Sequence, residues 1–198
     1  MTASLFYGLL LFSFVSAFTP GPNNLLALAS GANVGYRKTL PHIIGVCLGF
    51  LIMMVLMGAG LGALFMRYPT IQLILRYAAF TYLLYLAFKI ATASGLGRTT
   101  GREKPLTVLG AIAFQWLNPK AWIAAITIVT TFTLPQAYWQ SLAVASIVDL
   151  IMVFSAVSTW ALFGKVVNKW LSRPVILHVF NIAMALLLIV SVIPALFF

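Results

Sequence analysis

The sequence predicts an all-α integral membrane protein with six transmembrane helices in two inverted three-helix repeats, helices 1 and 4 being broken. Three observations predict it. Of 198 residues, 63% are hydrophobic and only 7% charged, and the mean hydropathy is +1.07, whereas a soluble domain carries roughly 25% charged residues. Apolar runs longer than the ~20 residues needed to cross the hydrocarbon recur along the whole chain. The basic residues cluster in alternate connections.

The spans are expected at Ser4–Ala32, Leu40–Met66, Thr70–Ser94, Thr107–Thr133, Ala137–Gly164 and Val175–Phe198, each bounded by Gly, Pro or charge. The first lacks a basic segment before it and stays apolar past Pro22, so it reads as a retained span rather than a signal peptide. Residues 1–198 read as one membrane domain. Within it, 1–94 form a first three-helix repeat, 95–106 a basic cytoplasmic loop and 107–198 a second repeat. The loop holds Arg98, Arg102, Glu103 and Lys104 and is the one stretch where apolar content drops for about ten residues. Three spans per half force the second half to enter the membrane from the other side.

The net charge of +10 would suggest nucleic acid in a soluble protein, but its distribution argues against that. Arg37 and Lys38 follow the first span, Lys89, Arg98, Arg102 and Lys104 flank the third connection, and Lys165, Lys169 and Arg173 fill the fifth. The other side holds Arg67 and Arg76. This bias places the odd-numbered loops in the cytoplasm and both termini outside. The surplus charge is topology and contact with membrane lipids, with no nucleic-acid partner. Cys47 is the sole cysteine, which rules out an internal disulfide and a cysteine cage for metal.

Each half opens with an interrupted span. The first carries Phe18-Thr19-Pro20-Gly21-Pro22-Asn23-Asn24, the fourth Trp116-Leu117-Asn118-Pro119-Lys120-Ala121-Trp122. Pro20 and Pro22 remove backbone donors and clash with the preceding turn, so they open the helix near mid-membrane. The helix start after the break presents N–H groups to an anion such as a carboxylate, and Asn23 and Asn24 add donors and acceptors. A kink that only aids packing would account for less than two prolines with two asparagines.

Lys120 is the one Lys or Arg well inside a span, and Asp149, mid-way along the fifth, is the one acid there. An unpaired charge at that depth costs several kcal/mol, so pairing the two is the cheapest arrangement for both. The alternatives are a structural ion pair and a working one, in which Lys120 binds a substrate carboxylate while Asp149 takes an ammonium group or a coupling proton. Ser146, one turn before Asp149, shares its face. His42 and His178, at the starts of the second and sixth spans, read as interface residues in preference to a proton relay. Gly45/Gly49 and Gly58/Gly62 read as close helix packing, and Trp116, Trp122, Trp139, Trp160 and Trp170 as belt or packing residues, of which Trp116 and Trp122 flank the second break.

Thr19-Pro20-Gly21-Pro22-Asn23-Asn24, then Gly35-Tyr36-Arg37 and the Gly45/Gly49 helix, with Asn118-Pro119-Lys120-Ala121 in the second half, resemble the LysE/RhtB family of amino-acid exporters over nearly the whole length. The stretch Thr19 to Ala29 and Ala87-Phe88-Lys89-Ile90-Ala91-Thr92 resemble its cysteine and O-acetylserine branch. The resemblance implies export across the bacterial inner membrane, driven by the proton gradient, without a bound cofactor. By motif it points to Pro20, Gly21, Pro22, Asn23, Asn24, Asn118, Pro119 and Lys120; Asp149 rests on the burial argument alone. The expected partners are a small amino acid, protons and lipid, with a homodimer left open. The alternative is export of a metal cation or other small solute, for which Cys47 and Asp149 are poor provision. An intramembrane hydrolase lacks a nucleophile–base pair and any GxSxG or HExxH, so the chain does not read as an enzyme. A scaffold would gain nothing from a buried Lys120 and Asp149.

Overall fold

The computed structural model describes residues 1–61, 67–92, 105–168 and 174–192. The basic loop expected at 95–106 therefore lies almost wholly outside the described residues, as do Gly62 and the last residues of the sixth span. Among the described residues the chain is helical, with no strand. The helices are α1 (Ala3–Phe18), α2 (Pro22–Val34), α3 (Tyr36–Leu56), α4 (Pro69–Thr92), α5 (Val108–Trp116), α6 (Pro119–Phe132), α7 (Tyr138–Asn168) and α8 (Pro174–Val192). A π turn, Met57–Leu61, extends α3, and a 3₁₀ turn, Pro135–Ala137, precedes α7.

Two of these are long and apolar enough to cross a membrane unaided, Tyr36–Leu61 and Pro135–Val167, and the bent pair α1–α2 counts as a third when taken as one span. At 1.5 Å per residue the 26 residues of Tyr36–Leu61 exceed the ~30 Å hydrocarbon. The other expected spans fall on α4, on α5 with α6, and on α8. Both expected breaks are present. Helix α1 stops at Phe18 and α2 restarts at Pro22 with a bend of 54°; α5 stops at Trp116 and α6 restarts at Pro119. Proline occupies the first helical position each time, where its missing N–H costs nothing and its fixed φ favours a start.

Side chains are distributed inside out relative to a soluble protein. Leu11, Tyr7, Leu109, Ile151, Val166 and Val175 are exposed, whereas Asn23, Asn24, Gln115, Asn118 and Asp149 are buried. Lipid solvates the former, and the polar groups must find partners within the bundle.

Small residues set the helix crossings. A Cβ on Gly31 would stand 1.9 Å from the Ala161 carbonyl oxygen, and one on Gly164 would stand 2.1 Å from that of Leu28, so α2 and α7 touch backbone to backbone. Helix α3 lies along α5 in the same way: a Cβ on Gly45 would be 2.5 Å from the Val108 oxygen. The expected packing role of Gly45/Gly49 is thus met, while Gly58 abuts the Leu142 side chain. Between α2 and α3 the chain turns at Gly35, whose φ of +83° suits glycine. The Tyr36 hydroxyl donates to Ser158 Oγ (3.1 Å), tying the start of α3 to α7.

His42, read as an interface residue, turns inward: it is 1% exposed, and its Nε2 has no hydrogen-bond partner among the described residues. It follows Thr39 by three residues and precedes Val46 by four, so it shares their inward face of α3. His178 is exposed.

Candidate functional site

The two breaks meet. Ending α1 at Phe18 frees the carbonyls of its last turn, which require donors. Asn24 Nδ2 donates to the Ala17 oxygen (2.8 Å) and the Thr19 oxygen (3.0 Å), Trp160 Nε1 of α7 donates to Phe18 (3.2 Å), and Lys120 Nζ of α6 donates to Thr19 (2.6 Å). A cation at a helix C-terminus also meets the negative end of the helix dipole. Gly21 makes room for this reach: a Cβ there would lie 3.1 Å from Lys120 Cδ.

The second break is capped from nearby. Leu117 N–H donates to the Phe114 oxygen and Asn118 N–H to that of Gln115 (3.1 Å each). Asn118 Oδ1 accepts from Lys120 N–H (3.2 Å), and Trp122 Nε1 donates to the Trp116 oxygen (2.9 Å). The two tryptophan rings meet edge-on, 5.2 Å between centroids. From the first half Asn23 Nδ2 donates to Gln115 Oε1. So the residue after each helix-starting proline, Asn23 in α2 and Lys120 in α6, reaches the end of the broken helix in the opposite half.

Between the breaks lies a cavity of about 60 Å³. It brings together six of the nine residues singled out from sequence: Gly21, Asn23, Asn24, Asn118, Lys120 and Asp149. Pro20, Pro22 and Pro119 are not in the wall; they make the breaks that shape it. Ser16 and Ala17 of α1, Val46 and Phe50 of α3, Gln115 of α5, Ala121 and Ala124 of α6, and Val153 and Val157 of α7 complete the lining. Ser146 is buried on α7 but is not among the lining residues.

The expected pairing of Lys120 with Asp149 is not made. Among the described residues no ion pair joins them, because the freed Thr19 carbonyl gives the ammonium a partner closer to its own helix start. Asp149 is 2% exposed, faces Ser13 of α1, and its Oδ2 has no hydrogen-bond partner among the described residues. Asn23 Oδ1 is likewise buried and without a partner among the described residues. Unmet buried acceptors cost about 1–3 kcal/mol each, and the residues that carry them line the same cavity as Lys120.

Sequence reasoning missed Gln115. It is 3% exposed, lines the cavity and bridges the halves. The signal was available: a carboxamide three residues before Asn118, in the otherwise apolar run from Ala111 to Leu117. Trp160 was read as packing, and no pattern along the chain announced its bond to Phe18. Among the described residues no group of three or more His, Cys, Asp or Glu side chains is placed to hold a metal ion.

A lipid-facing helical bundle with a charged and amide-lined cavity between two broken helices is the construction of a multi-pass membrane transport protein. The chain belongs to the LysE type translocator family, whose profile matches residues 14–193. It is 34% identical over 195 residues, 96% of each chain, to the cysteine/O-acetylserine efflux protein of Escherichia coli. The protein of the same name from Shigella sonnei matches with the same identity and coverage. No solved structure matches.

Proposed function

We propose that this chain exports a small neutral amino acid across the bacterial inner membrane, driven by the proton gradient, with cysteine or O-acetylserine as first substrates and threonine, homoserine or leucine next. The observation that carries this reading is that Lys120 and Asp149 line one cavity without neutralising each other. A zwitterion has one anionic and one cationic end. Lys120, Asn118 and the starts of α2 and α6 suit its carboxylate, and Asp149 with the open Asn23 Oδ1 suits its ammonium group. Membership of the translocator family and likeness to a cysteine/O-acetylserine efflux protein support the same class of solute.

A cavity of about 60 Å³ is small beside the ~150 Å³ that holds a benzene ring, so admission of an amino acid requires the surrounding helices to part. The packing suggests how. Helix α3 lies along α5 and α7 along α1, the exchange of partners that two inverted repeats would make. Rocking one repeat against the other would then expose the cavity to each side in turn. The sequence holds no nucleotide-binding motif, and one charge moved through ~100 mV is worth about 2.3 kcal/mol, roughly a fifty-fold solute gradient. Proton and ammonium group would occupy Asp149 alternately. The Gly35 end would face the cytoplasm and both termini the periplasm, so green fluorescent protein fused after Phe198 should give dark cells; bright, correctly inserted fusions would sink that orientation.

The test of export is amino-acid loss from loaded cells, with and without the chain, across cysteine, O-acetylserine, threonine, homoserine and leucine. Faster loss of at least one, abolished by a protonophore, is the expected result. Equal loss across the panel overturns the assignment.

A further inference from the structure

Gln115 has no role in the reading above, yet it is among the most constrained side chains of the cavity. It sits on the last turn of α5, two residues before the second break opens at Leu117. Helix α3 backs it: a Cβ on Gly49 would stand 2.9 Å from Gln115 Cβ and 3.3 Å from its Cγ, so the stem lies flat against the α3 backbone. Asn23 of α2 holds its Oε1 by donating to it. Both the position and the orientation of the carboxamide are therefore set before any solute arrives, the condition for a selective contact. With Oε1 committed, what remains is the amide nitrogen, whose two N–H groups donate to no described residue. A group that can only donate recognises an acceptor.

We propose that Gln115 is a substrate-recognition residue whose carboxamide N–H groups take the α-carboxylate of the transported amino acid, with Asn23 and Gly49 as its positioning residues. The assignment rests on the export reading and names the contact that reading lacks: a neutral donor from the half of the chain opposite α2, able to hold the carboxylate while the Lys120 ammonium remains on Thr19. It also gives Asn23 two tasks, fixing Gln115 through Nδ2 and offering Oδ1 to the ammonium end.

The test uses the full chain in proteoliposomes and the amino acid that the wild type carries, together with the carboxamide of that amino acid as competitor. Gln115→Glu keeps the shape and the acceptor for Asn23 but replaces the donors with an anionic oxygen. It should raise the half-saturating concentration on the order of tenfold to a hundredfold, the range of a hydrogen bond to a charged group. Gln115→Ala should weaken the amino acid more than its carboxamide, because both lose an acceptor contact but the bond to the charged carboxylate is the stronger. Reconstituted amounts and monodispersity, matched to wild type, separate recognition from folding, and wild-type transport run alongside separates failure of this assignment from failure of the export reading. Unchanged half-saturation in Gln115→Glu, or equal weakening of both competitors in Gln115→Ala, overturns the proposal.

Discussion

The two breaks use similar residues but are held in different ways. At Leu117–Asn118 the open groups are met from within a few positions: Phe114, Gln115, Lys120 and Trp122 supply the partners. At Thr19–Gly21 the local donors are Thr19, through its N–H and hydroxyl to Val15, and Asn24, while two more come from distant helices, Trp160 of α7 and Lys120 of α6. A self-capped break keeps its shape whatever its neighbours do, whereas a break capped from afar changes partners when they move. The second break is thus suited to be a fixed platform and the first a part that responds to movement between the halves.

Removing the Asn24 donor should separate the two breaks most sharply. Asn24→Ala withdraws two hydrogen bonds and leaves the Ala17 oxygen without its donor at depth, so thermal unfolding in detergent should report a loss of about 2–3 kcal/mol. Asn118→Ala removes one cap from an otherwise self-supporting turn and should cost about 1 kcal/mol. Equal losses would mean that the breaks are built alike, and the contrast would fail.

Much of this construction was legible along the chain. Proline beside amides in two apolar runs marked both breaks, and the rarity of charge marked Lys120 and Asp149. Six of the nine residues so chosen share one cavity because the two breaks lie against each other, with Asp149 of α7 beside them. What sequence could not reveal was which acceptor each donor would choose. Lys120 reaches a carbonyl that exists as an open acceptor only because α1 has ended, a condition no residue type records. His42 turns inward because its spacing from Thr39 and Val46 outweighs its place near a helix start. Gln115 escaped notice because its partner, Asn23, is 92 positions away.

The central claim is that Lys120 and Asp149 act on the solute and do not merely neutralise each other. Efflux of a preloaded amino acid from proteoliposomes, compared for wild type, Lys120→Met, Asp149→Asn and the double variant, addresses it directly. The cavity described here predicts that each single substitution lowers efflux at least roughly thirtyfold, as loss of a desolvated charge contact does, and that the double variant is no better than either. Recovery of efflux in the double variant would contradict it, because only a structural ion pair is repaired by removing both of its charges.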